Sequence, residues 1–228
     1  MEPTRHILTS FESALENLRK DVLMMSSLFQ RSLENARKGL FDRDEDWCNT
    51  VIVDDEEIDS LEIKVDTEGM DIMLRYHPVA SDLRNVISAM KTSVNIERAA
   101  DQAVGIARRA RKLLALSTVS DISRIQPMFE HTMAMFADAM KAYADRDPAL
   151  SETLKPRDKD LDQMNKDFAE SMTTLMPENP DSIRAFLELI FVARCLERIG
   201  DLAKNIGEDT IYAVSVKDIR HTNQAPVQ

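Results

Sequence analysis

The chain has 228 residues, 43 % of them hydrophobic, enough for one large domain or two small ones with cores of their own. A formal net charge of −11 argues against nucleic acid as a main partner, because neutralising phosphates takes a basic surface. Only 5 glycines and 5 % aromatics, beside 13 methionines, favour helices packed through aliphatic side chains over sheets.

Helical periodicity starts at once: Ile7, Phe11, Ala14, Leu15, Leu18 and Val22 recur at threes and fours, and the pattern runs to about Leu40. "GLFDRDED" reads as a turn. A second helix is predicted from Glu45 to Tyr76, ended by His77-Pro78, since the residue before proline is pushed out of the helical region. A third follows from Val79 to Leu116. After the polar linker "LSTVSDISR", a fourth is predicted over 122–144 and stopped at "DRDP". A fifth spans 149–175, bent or interrupted near Pro156. "MPENPDS" breaks the chain again, with Asp181 or Ser182 as a cap, and the sixth helix reaches about Val216. The tail "NQAPVQ" reads as frayed.

Three helices, a linker and three more helices suggest a repeat. Shifted by 103 residues, Asp42, Arg43, Asp44, Thr50, Asp55 and Asp59 fall on Asp145, Arg146, Asp147, Thr153, Asp158 and Asp162. Shifted by 100, Glu97, Arg98, Asp101, Ala103 and Ile106 fall on Glu197, Arg198, Asp201, Ala203 and Ile206. The expected fold is all-α: two tandem, pseudo-symmetric three-helix bundles over 1–116 and 123–218, with a tail over 219–228.

The repeat carries acidic pairs four residues apart: Asp55/Asp59, Glu97/Asp101, Asp158/Asp162 and Glu197/Asp201. Four residues advance about 6 Å along one helix face, so each pair can aim two carboxylates at one spot. If second and third helices are neighbours, four carboxylates converge per unit and need a cation or protons between them. Oxygen donors suit Mg²⁺, Ca²⁺, Mn²⁺ or iron. A di-iron oxidase would need Glu-x-x-His, but Ala100 and Gly200 stand where the histidines should be. The stripe continues through Asn205 and Glu208. It lies away from the apolar seam Ile199, Leu202 and Ile206, flanked by Gly200, Ala203 and Gly207, whose small size would let a backbone or a metal cluster approach. An acidic stripe opposite an apolar seam is also what a solvated helix looks like, and Arg98 and Arg198 could pair with it.

Cys48 and Cys195 form no CxxC pair, which points to reduced thiols in a cytosolic protein. No apolar run reaches the roughly 18 residues of a membrane span, and no signal peptide is recognisable. Catalytic triads, a Walker motif and a glycine-rich phosphate loop are all missing from the sequence, so no enzyme is expected. The methionines read as core filler or an adaptable partner surface, and Trp47 as a bundle cap or a docking residue.

"LERIGDLAKNIGEDTIY", "NIERAAD", "HPVASDLRNVISAMK" and the terminal "DIRHT" together resemble the PhoU family, from about Phe11 to His221. The resemblance implies two similar three-helix bundles that hold iron, zinc, manganese or magnesium on their surfaces. The implied metal residues are Asp55, Asp59, Glu97, Asp101, Asp158, Asp162, Glu197, Asp201, Asn205 and Glu208. It implies a cytoplasmic homodimer that negatively regulates phosphate uptake and phosphate-starvation signalling. Its partners would be the ATPase subunit of a phosphate ABC transporter and a phosphate-sensing histidine kinase. A carboxylate-cluster hydrolase and a metal-free structural adaptor are the alternatives. One departure stands out: Gly105 and Arg108 occupy the first unit's places for Asn205 and Glu208. A guanidinium repels a cation, so the second unit is expected to bind metal better.

Overall fold

The computed structural model describes residues 3–116 and 122–215, with the side chains of 3–8 left aside. The terminal "DIRHT", the tail and His221 lie outside the described residues, as does most of the linker. Among the described residues there is no strand. Seven helices are formed: α1 (Pro3–Phe41), α2 (Glu45–Tyr76), α3 (Ala80–Leu114), α4 (Gln126–Asp145), the single-turn α5 (Pro148–Glu152), α6 (Leu154–Leu175) and α7 (Ile183–Ser215).

Both copies of the Asp-Arg-Asp repeat build the same corner. Arg43 and Arg146 adopt left-handed backbone, with φ of 54° and 53°. The following Asp N–H then reaches back five residues, from Asp44 to the Gly39 carbonyl and from Asp147 to that of Ala142, which closes the preceding helix. The same Asp side chains cap the next helix. Asp44 accepts from the Asp46 N–H, and Asp147 from those of Ala149 and Leu150.

The helix boundaries differ from the sequence reading at four places. The predicted fifth helix breaks at Thr153, ahead of Pro156, because a proline lacks an N–H and its ring clashes with the carbonyl four residues back, here that of Glu152. The predicted fourth helix begins with a 3₁₀ turn at Ile122–Ile125, and α7 is entered through another at Pro180–Ser182. His77 leaves the right-handed helix by turning left-handed (φ 46°, ψ 54°) rather than extended.

α1, α2 and α3 form one bundle, and α4, α6 and α7 the other, with α5 against α7. The bundles join along α3 and α7, which run antiparallel: Lys91 meets Asp209 at one end, and Arg109 meets Glu188 at the other. α1 also packs on α4 through two aromatic pairs, Phe29–Phe136 (centroids 4.3 Å apart) and Phe41–Phe129 (5.8 Å). The buried side chains form one continuous core across both units.

The small residues of α7 have a packing role. A Cβ added at Gly200 would sit 2.4 Å from Leu161 Cδ2, and one at Gly207 would sit 2.5 Å from Leu154 Cδ1. Leucines of α6 therefore fill the places that the sequence reading left open to a backbone or a metal cluster. In the first unit the repeat puts Ala100 and Ala107 for the glycines and Val51 and Ile58 for the leucines, all buried.

Candidate metal centre

The packing of α2 on α3 and of α6 on α7 brings the predicted acidic pairs together within each unit. In the first, burial pushes the Asp55 carboxyl up to about 6, helped by the charges of Asp59 and Asp101 and opposed by Arg108. Glu97 is raised by burial and by Asp101, Asp59 and Glu62, against Arg98. Glu62 is a fifth acid of this cluster that the sequence reading missed. The repeat could not reveal it, because its counterpart is Asn165.

The second cluster has the same frame and a different balance. Asp158 is buried, at 6 % exposure, and its carboxyl is raised by that burial and by Asp201 and Asp162, while Lys204 pulls it back. Glu197 is raised by burial, then by Asp201 and Asp162, against Arg194 and Arg198. Lys204 Nζ donates to Asp158 Oδ2 at 2.6 Å and to Asp201 Oδ1 at 2.5 Å. Burial alone would lower the lysine's pKa, but these two bonds outweigh it and raise it. Val104 holds the equivalent place in the first unit, so only the second cluster has an ammonium bonded between its carboxylates, while in the first Arg108 acts on Asp55 by charge. Lys204 was readable from its place three residues after Asp201, on the acidic stripe.

Asp158 and the half-buried Glu197 and Asp201 are not on a freely solvated face, whereas Asp59 and Asp101 are exposed. Among the described residues, no three His, Cys, Asp or Glu side chains stand close enough, as they lie, to hold one ion. Asn205 and Glu208 line a groove between the units with Asp66, Asn95, Arg98 and Asp209. A second, shallow depression between α3 and α7 is lined by Arg98, Asp101 and Gln102 and by their repeat counterparts Arg198, Asp201 and Leu202. One carboxylate of each cluster, Asp101 and Asp201, therefore reaches the same hollow.

The donor set suits a hard cation. Crowded carboxylates held above their ordinary pKa gain most from an ion that neutralises them, and all are oxygen donors. Asp55 and Glu97 meet this condition, with the charges of Asp59 and Asp101 beside them and no ammonium bonded among them, while Lys204 already answers it for Asp158.

Fold and site together define an all-helical protein made of a duplicated three-helix bundle, with an acidic cluster at the same place in each copy. The chain matches the PhoU domain twice, over residues 22–110 and 125–210. It is 35 % identical over 219 residues to the phosphate-specific transport system accessory protein PhoU homolog of Pseudomonas putida, covering 96 % of this chain and 86 % of that one. The phosphate-specific transport system accessory protein PhoU of Escherichia coli is 30 % identical over 95 % of this chain and 90 % of its own. The crystal structure of PhoU from Pseudomonas aeruginosa superposes with a TM-score of 0.86 at 33 % identity, covering 91 % of this chain and all of that one. The chain belongs to the PhoU family.

Proposed function

We propose that this chain is an accessory protein of phosphate-specific transport: a negative regulator that links the phosphate ABC transporter to its sensor histidine kinase when phosphate is plentiful. The observation that carries this reading is the match of both repeats to the PhoU domain, beside full-length relatives named as accessory proteins of that system. Those relatives' names as accessory proteins favour work by protein contact rather than by turnover. None of the described helices is long and apolar enough to cross a membrane, in keeping with a cytoplasmic adaptor. The family likeness is the basis for expecting a homodimer.

Divalent or trivalent metal is the cofactor of this reading, as iron, zinc, manganese or magnesium. Asp55, Asp59, Glu97 and Asp101 would hold it in the first unit, with Glu62 beside them. Asp158, Asp162, Glu197 and Asp201 would hold it in the second once Lys204 swings aside. That requirement favours the first cluster, the reverse of the order drawn from Gly105 and Arg108. Asn205 and Glu208 would extend the second site into the neighbouring groove. Bound metal would relieve the repulsion among carboxylates and stiffen the surface that partners meet.

The test is a phosphate-starvation reporter in the native host grown with ample phosphate. Deleting the gene is expected to switch the reporter on, and supplying the intact chain to switch it off again. A reporter indifferent to the deletion overturns the regulatory reading.

A further inference from the structure

At one end of the α3–α7 seam, α1 and the α4–α5 corner close over a small cavity shared by both units. Its only charged lining residues are two arginines, Arg19 of α1 and Arg146 of the corner, and no carboxylate lines it. That is unexpected in a chain with 40 acidic residues against 29 Lys and Arg. Asn85 and Ser88 of α3 and Tyr143 of α4 add polar groups from other directions.

Ser88 is buried, at 4 % exposure, and its Oγ has no hydrogen-bond partner among the described residues. Buried hydroxyls are nearly always satisfied, so one left open against a cavity marks a missing acceptor or donor inside it. Burial raises the Tyr143 phenol to about 12, against the pull of Arg19 and Arg146, so it stays a proton donor at neutral pH. Arg19 gives one bond to the Ala144 carbonyl, and a guanidinium has donors to spare. Arg146 differs from its twin. Arg43 spends its guanidinium on the carbonyls of Leu113, Leu114 and Leu116 at the end of α3. At the corresponding end of α7, Arg84 takes the Ala213 carbonyl instead.

We propose that this cavity binds a small tetrahedral oxyanion of the phosphate class, held by Arg19 and Arg146 with Ser88 Oγ donating from the floor. Donors converge from α1, α3 and the α4–α5 corner, which suits oxygens spread in three dimensions better than a flat carboxylate. The bound anion would tie the two units together. The inference stands on the cavity alone and needs neither the transport reading nor a metal.

The test is calorimetric titration and thermal unfolding of the full chain with inorganic phosphate, with sulfate and acetate as comparisons. Expected are binding of one phosphate per chain, a rise in Tm, and a loss of about tenfold in affinity for Arg146→Gln. Ser88→Ala removes an unpartnered hydroxyl, so it should fold at least as stably as the parent yet lose most of the phosphate-induced rise in Tm. Sulfate binding beside phosphate supports a tetrahedral oxyanion site, as does phosphate binding alone. Acetate binding as tightly as phosphate overturns the proposal. So does an absence of heat and Tm shift at millimolar phosphate, or affinity unchanged in both variants.

Discussion

Replacing Lys204 by Met takes away the ammonium that holds Asp158 and Asp201 while keeping the aliphatic stem. Removing one partner of a buried ion pair costs about 3–5 kcal/mol. Here Asp158 has 9 % of its side chain exposed and Lys204 20 %, but Asp201 has 46 %, so solvent screening brings the expected loss to about 1–3 kcal/mol. The loss should depend on pH. Without Lys204 the Asp158 carboxyl rises further above its ordinary 3.8. Stability from its protonated form is complete below that value and is lost as the pH rises through the raised one. The deficit is therefore largest near neutrality and shrinks on acidification. Urea unfolding of both proteins with chelator present, at about pH 7.5 and about pH 5, measures it. A loss under about 0.5 kcal/mol at the higher pH, or a deficit of equal size at both, would refute the electrostatic reasoning.

Phe136→Ala should cost about 3–5 kcal/mol, and a double-mutant cycle with Phe29→Ala should show about 0.5–1.5 kcal/mol of coupling. Because that pair bridges the bundles, unfolding should stay a single transition in calorimetry; two transitions with only one shifted would contradict a shared core. In metal-free protein, Asp55→Asn should stabilise by about 1 kcal/mol at neutral pH, since it removes a carboxylate raised to about 6 by burial and like charges. The gain should vanish in acid denaturation curves below the ordinary value of 3.8, where Asp55 is already protonated. Asp147→Ala should lose about 1 kcal/mol through the uncapped N–H groups of Ala149 and Leu150, and Asp147→Asn should restore most of it, as read by thermal unfolding.

Much of the fold was legible because each helix carries its own periodicity and its own punctuation. Glu45 and Tyr76, predicted as the ends of the second helix, are its ends. The repeat revealed that Asp44 and Asp147 sit in equivalent turns, though not that the arginine before each must be left-handed. What escaped the sequence depends on contacts between helices. Gly200 and Gly207 looked like openings on a surface until α6 was docked, when they became the seats of Leu161 and Leu154. Lys204 was visible on the acidic stripe, but its bridge to Asp158 spans α6 and α7 and follows from their register alone. Asp101 and Asp201, a hundred residues apart, meet at one hollow because α3 and α7 run antiparallel, a direction that no local pattern encodes.

The most direct measurement is metal content by plasma mass spectrometry on chain purified without a His-tag or chelator. Two variants belong beside it, Glu97→Gln with Asp101→Asn, and Glu197→Gln with Asp201→Asn. The account predicts stoichiometric iron, zinc, manganese or magnesium in the parent, with the larger share lost from the first variant. A parent free of metal even after incubation with Fe²⁺, Mn²⁺, Mg²⁺ and Zn²⁺, or metal retained in full by both variants, would contradict it.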